Sequence, residues 1–354
     1  MLNNKLEFSI IDINDLCTNN DLIYDFLCKT ESYTWAVIAR KTYNFPVKVI
    51  VGRDENGKVV FYVWIYEIKN TGNMYALRNS LVVVDYNYCY VMHSLSSFCK
   101  LSNVTLYGFF IQPSIFSDCN NKHISQSGKK NIQLPLSLNS DKCWRDLPKK
   151  TRNMVRKGQK TSVNILDSKR NLNDFYNIYT NNMLSKKVMP HPLEFFENLM
   201  SEFGSDIELI TATYKDKIIG GIIVQYGSKS ANYPFHSSDI NYNYLAPNHL
   251  LVWEMIERCV TRGLSSIDMG EATDGSGVYN FKKSFGGVIS NINEYTFNTG
   301  PLKEASDKVS IKSKKINNIK EGVISFFYFL LSFIPIRARS RIIRYKKRRI
   351  RLGI

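Results

Sequence analysis

Ile267-Asp268-Met269-Gly270-Glu271-Ala272-Thr273-Asp274-Gly275-Ser276-Gly277-Val278-Tyr279-Asn280-Phe281-Lys282-Lys283-Ser284-Phe285-Gly286-Gly287 runs a short apolar strand into a glycine-rich turn and then into a lysine-bearing aromatic segment. Immediately upstream, Pro247 to Arg262 places Leu250, Leu251, Met255, Ile256, Cys259 and Val260 at helical spacing, which predicts a long amphipathic helix. Gly263 ends it as a left-handed cap residue would. Further back lie three strand-like runs, Glu208 to Tyr214, Ile218 to Tyr226 and Ser230 to His236, the first two joined by Lys215-Asp216-Lys217 as a tight hairpin. Two helical segments precede them, near Asn173 to Leu184 and Leu193 to Phe203, and a strand near Val163 to Leu166 precedes those. A basic helix from about Cys143 to Lys160 opens this half.

The first 140 residues read as a mixed α/β unit. Val47 to Val51 and Lys58 to Glu67 are rich in β-branched and aromatic residues and flank Arg53-Asp54-Glu55-Asn56-Gly57, a hairpin signal. Apolar runs at Ser80 to Val84 and Val104 to Ile111 enclose a helix-like Tyr90 to Lys100. Ser117 to Gly128 has no apolar periodicity and reads as a loop.

The opening stretch and Leu147-Pro148-Lys149-Lys150-Thr151-Arg152-Asn153, about 120 residues before it, together resemble the acyltransferases related to the Fem-type peptidoglycan aminoacyltransferases. That group carries an Asp-x-Gly strand end, a glycine-rich loop and a Phe-Lys-x-x-Phe-Gly segment, preceded by a Leu-Pro-x-Lys-x-Arg-Asn helix. The element order from residue 163 (strand, two helices, three antiparallel strands, helix, strand, helix, strand) is that of the GNAT acyltransferase fold. The resemblance implies an α/β (α+β) chain of tandem GNAT-like domains with a mixed, largely antiparallel sheet: residues 1–140 a diverged first copy, 141–299 the acyltransferase copy, and 300–354 a basic tail. No internal sequence repeat proves the duplication.

The same resemblance implies where chemistry sits. The donor's phosphates belong near the helix start Pro247-Asn248-His249, whose amides and dipole favour anions. Gly275 and Gly277 would let backbone approach the donor closely. Lys282 matches the lysine that Fem-type enzymes hold near the donor's phosphates or acyl carbonyl, where an ammonium stabilises developing negative charge. His236, Asp239, Asp268 and Glu271 are candidates for taking the proton of an attacking amine, and positioning alone with a water relay is an alternative. Arg152, Arg156 and Lys160 fall at i, i+4, i+8 on the basic helix, a face implied to bind an acceptor or a phosphate-bearing substrate. The glycine-rich Arg/Gln-x-x-Gly-x-Gly loop of ordinary GNAT enzymes is absent from the sequence.

The formal net charge of +16 is unevenly placed. From Gly300 onward the chain holds 15 Lys or Arg against 3 acids, a net of +12, which leaves 16 − 12 = +4 for the first 299 residues. Within the tail, Gly322 to Ile336 is almost wholly apolar but shorter than the roughly 20 residues of a spanning helix. Nine basic residues follow it between Arg337 and Arg351 without an acid. Residues 322–351 therefore suit an anionic membrane surface. Seven cysteines are scattered without a C-x-x-C pair, and no histidine stands at metal spacing, so no metal is expected. These features fit a cytoplasmic enzyme peripheral to the inner face of the cell membrane.

The expected reaction is transfer of an acyl group from acyl-CoA to an amine on an amino sugar or peptide of the cell envelope, lipid-linked or free. Aminoacyl-tRNA is the alternative donor, disfavoured because the body lacks a broad positive surface. A membrane-tethered binding protein that has lost catalysis is the rival of another class.

Overall fold

In a computed structural model of the chain, residues 6–16, 27, 30–68, 73–84, 86–110, 124–167 and 171–297 are described. The tail at 300–354, including 322–351, lies outside them.

The two halves fold by the same recipe. In the first, strand β1 (Glu7–Asp12) leads through helices α1 (Ile13–Leu16) and α2 (Glu31–Tyr43) to strands β2 (Val47–Arg53), β3 (Val59–Ile68) and β4 (Asn73–Val83). Helix α3 (Tyr88–Leu101), strand β5 (Thr105–Phe110) and strand β6 (Ile124–Pro135) follow. After α4 (Ser140–Asp146) and α5 (Lys149–Gln159), the second half repeats the order with β7 (Val163–Asp167), α6 (Leu172–Ser185), α7 (Leu193–Phe203), β8 (Ile207–Tyr214), β9 (Lys217–Tyr226) and β10 (Ser230–Ser238). It ends with α8 (Pro247–Thr261), β11 (Ser266–Thr273), α9 (Gly277–Lys283) and β12 (Val288–Phe297).

The strands form one 12-stranded sheet in the order β1-β2-β3-β4-β5-β12-β6-β11-β10-β9-β8-β7. Pairing is antiparallel except β4 with β5 and β10 with β11. Both parallel pairs hold for only three residues, Asn73–Tyr75 against Thr105–Tyr107 and Ser230–Asn232 against Ser266–Asp268. The duplication that no sequence repeat discloses is thus plain in the topology. Each copy's last strand is exchanged: β6, which follows the first copy, pairs with β11, while β12, which follows the second, pairs with β5. The two exchanged strands pair with each other at the centre.

Alternation explains the layers. On β9, Ile222 and Val224 bury into the core under α8 while Ile223 buries into the core under α6 and α7, the period-two pattern of a strand covered on both faces. Helices α2 and α7, equivalent in the two copies, pack on each other through Trp35 against Phe203 (ring centroids 5.3 Å) and an ion pair from Lys41 to Glu202 (2.6 Å). The hairpin at Lys215-Asp216 puts both residues at positive φ, 50° and 63°, the geometry of a type I′ turn.

Two expectations need correcting, and two features carried none. The basic helix expected from Cys143 to Lys160 is two helices, because Pro148 cannot donate and holds Leu147 extended at ψ 138°. The segment Ser117 to Gly128, read as a loop, enters β6 at Ile124. Strand β1 and helix α2 carried no sequence expectation. Cys89 on α3 is disulfide-bonded, which the scatter of cysteines did not foretell; Cys99, Cys143 and Cys259 are free and buried.

Candidate active site

The parallel pair β10/β11 separates after Asn232 and Asp268, where both strands carry irregularities, between Asn232 and Phe235 and between Asp268 and Glu271. Gly270 makes the second one possible with φ +74°, and the Asp268 carboxylate accepts from its amide at 2.7 Å. One oxygen of Asp268 thereby shapes the strand end.

Into this opening comes the start of α8. Ala246 sits at φ 57° as its N-cap, with no side-chain cap, and Pro247 occupies the first turn. The N-cap makes no side-chain hydrogen bond, and the His249 amide turns back to the Ala246 carbonyl at 3.1 Å; a helix start without a side-chain cap favours an anion. The side chains of Asn248 and His249 turn inward instead. Asn248 Oδ1 accepts from His236 Nε2 at 2.6 Å, and the His249 ring meets Phe281 and Phe285 at 5.2 and 5.8 Å.

His236 is enclosed with both ring nitrogens engaged, Nδ1 with the Tyr233 hydroxyl and Nε2 with Asn248. Burial pushes its pKa down to about 4, the Asn248 bond opposing and the Lys282 and Lys186 ammoniums reinforcing the shift. It is neutral at physiological pH and holds the Tyr233 phenol, whose own pKa burial pushes well above its usual value. Neither residue has the poised pKa of a general base.

Lys282 reaches the strand end from α9. Its Nζ donates to the Glu271 carbonyl at 3.2 Å and lies 5.4 Å from the centre of the Tyr233 ring. The segment carrying it is held from three directions. Ser276 caps α9 by accepting from the Tyr279 amide, the Thr151 hydroxyl of α5 donates to the Ser284 carbonyl, and Phe285 is buried. A Cβ on Gly287 would stand 2.5 Å from Ile132 Cγ2, so only glycine lets β12 start this close to β6.

Not every residue expected at the site is there. Gly275 supplies the positive φ (74°) of the turn, and both Gly275 and Gly277 have open space around them. Arg152 turns back to donate to the Leu147 and Arg145 carbonyls at 2.6 Å, closing the end of α4, as cationic side chains do at helix C-termini. Arg156 stacks over Trp144 at 5.3 Å. Lys160 is the exposed C-cap of α5. Asp239 caps the 3-10 turn Ile240–Leu245 and pairs with Lys217 at 3.3 Å.

Sequence reasoning missed Tyr233 and the contribution of β6. Lys129 on that strand pairs with Glu271 at 2.8 Å, and Asn131 lies directly opposite Glu271. The alternation of Ile132, Leu134 and Leu136 was the available signal.

Together these elements make an opened parallel strand pair with an anion-seeking helix start and a fixed ammonium on one side, a setting for acyl transfer. Residues 142–283 match the family described as an acetyltransferase (GNAT) domain. The chain is an acyltransferase of the GNAT fold. Its structure is similar to FemX, at TM-score 0.57 and 15% identity over 82% of this chain and 98% of that one. It is also similar to the C-terminal domain of a putative lysylphosphatidylglycerol synthetase from Agrobacterium fabrum, at 0.54 and 10% over 77% and 90%. A conserved protein of unknown function from Bacteroides thetaiotaomicron gives 0.55 and 10% over 75% and 89%. No curated protein sequence matches the chain. Among the described residues, no helix is long and apolar enough to cross a membrane.

Proposed function

We propose that the chain transfers an acyl group from acyl-CoA to a primary amine of a cell-envelope precursor, an amino sugar or a peptide. The observation carrying this reading is the opening of β10 from β11 after three paired residues, with the start of α8 and Lys282 converging on it. The donor's phosphates would lie on the α8 amides, and Lys282 would stabilise the oxyanion formed when the amine attacks the thioester carbonyl. Breaking the C–S bond then releases the thiol. With His236 neutral and held, positioning does most of the work and the amine's proton leaves through water or Glu271.

The envelope acceptor is supported by the Fem-type motifs and by folds shared with FemX and a domain named for lysylphosphatidylglycerol synthesis. Acyl-CoA is favoured over aminoacyl-tRNA by the near-neutral body, +4 over 299 residues. The apolar and polybasic sequence at 322–351 would hold the enzyme at the inner face of the membrane where such acceptors are carried.

Thermal unfolding of the full chain with acetyl-CoA and longer acyl-CoAs tests the reading. A ligand at a hundred times its Kd stabilises by about 2.7 kcal/mol, so a dose-dependent rise lost in Lys282→Ala is expected. No rise with any acyl-CoA, alongside a rise with aminoacyl-tRNA, would reassign the donor; no rise with either would sink the catalytic reading.

A further inference from the structure

The site has a second side, built from the strand that the first copy contributes. Ser290 on β12, Asn131 on β6 and Glu271 on β11 stand abreast in the register, so their side chains share one face of the sheet. Ile132 and Leu134 bury into the core under α8, which puts Lys129, Asn131 and Gln133 on the opposite face, that of α6 and α7. Lys282 engages Glu271 through its carbonyl, whereas the Glu271 carboxylate serves Lys129.

One polar atom there has no structural partner among the described residues. Asn131 is 4% exposed, and its Oδ1 is buried without a hydrogen-bond partner among the described residues. Such an orphan costs about 1–3 kcal/mol and is seldom kept. Beside it stands the Lys129–Glu271 ion pair at 2.8 Å, partly exposed at 18% and 30%.

We propose that Glu271 and Asn131 form the seat of a primary ammonium, the acceptor's, and that Lys129 Nζ holds the Glu271 side of it in the resting enzyme. An incoming amine displaces the lysine towards solvent, donates to the Glu271 carboxylate and to Asn131 Oδ1, and is left at the opening between β10 and β11. A primary ammonium has three donors in the required spread. A hydroxyl has one, and a quaternary ammonium none. The identity of this amine as the acceptor rests on the acyl-transfer reading; the preference of the seat for a primary ammonium does not.

The test uses the full chain and n-butylamine as probe, with n-butanol and tetramethylammonium as controls at matched ionic strength. In Lys129→Met the resident competitor is gone. Butylamine should raise the unfolding temperature saturably, with an apparent Kd about tenfold below that in the wild type, and adding Glu271→Gln should abolish the response. Lys129→Gln, which likewise removes the competing ammonium, should tighten amine binding by a similar factor and serves if Lys129→Met does not fold. Equal responses to butylamine and tetramethylammonium, or no saturable response in either variant, would overturn the proposal. Acetyl-CoA titrated into the same proteins separates the two readings. An acetyl-CoA shift without an amine response removes the ammonium seat alone, and an amine response without an acyl-CoA shift leaves the seat standing and removes the donor assignment.

Discussion

Acidification should cost this protein stability chiefly through two histidines. His236 and His191 each have their pKa pushed from 6.5 to about 4 by burial. His191 stacks on Phe195 at 4.3 Å, its Nδ1 meets the Tyr43 hydroxyl of α2, and its amide donates to the Tyr179 hydroxyl at 3.2 Å. The unfolded imidazoles take up a proton near pH 6.5 and the folded ones only near 4. Stability is therefore whole above about pH 6.5 and drains as pH falls towards 4. Between about pH 7 and pH 5 each residue accounts for about 2 kcal/mol at most, and the pair for about 4. These are upper figures, since both residues keep some exposed surface. Urea unfolding followed by tryptophan fluorescence at the two pH values measures the loss directly. Glu257, whose carboxyl burial pushes up, works in the opposite direction, so the decisive quantity is the difference from His191→Asn/His236→Gln, whose pH dependence should be shallower by that amount. An unchanged dependence in the double variant would refute the assignment of the loss to these rings.

Other substitutions probe the supports of the site. Gly287→Ala should cost about 1–3 kcal/mol in urea unfolding, because the new methyl meets Ile132, a fully buried β-branched side chain, at 2.5 Å. Arg152→Ala should cost about 1–2 kcal/mol by exposing the last carbonyls of α4, and should leave the acyl-CoA shift in place; loss of that shift with stability unchanged would restore Arg152 to the binding surface. In alkylation without reductant, Cys89 should stay unlabelled until the disulfide is reduced. Cys259, whose thiol burial pushes to about 12, should react only on unfolding.

The second half of the fold was legible because its signals are local. Periodicity placed α8, a positive-φ turn closed the β8/β9 hairpin, and Gly263 at φ 74° ended the helix. Lys282 was legible by motif, and it does reach the strand end. What stayed hidden depends on register and on where the chain returns. Arg152 and Arg156 share a helix face as their spacing predicts, yet the Pro148 break brings α4 and Trp144 beneath them and takes up both guanidiniums. Lys129 and Asn131 lie about 140 residues from Glu271 in sequence, and only the crossing of β6 makes them neighbours. The polar run before Ile124 masked the two-residue alternation of that strand.

The exchange of β6 and β12 also imposes an order of events on synthesis. Strand β6 is complete at Pro135, whereas β12, which separates it from β5, begins at Val288. At cellular elongation rates the about 150 intervening residues take roughly 8–30 s to make. For that time β5 has an open edge and β6 is its nearest partner along the chain. A premature β5/β6 pairing must then open before β12 can enter, so the last strand synthesised gates the folding of the first copy. Slow, topology-limited maturation is the expected signature.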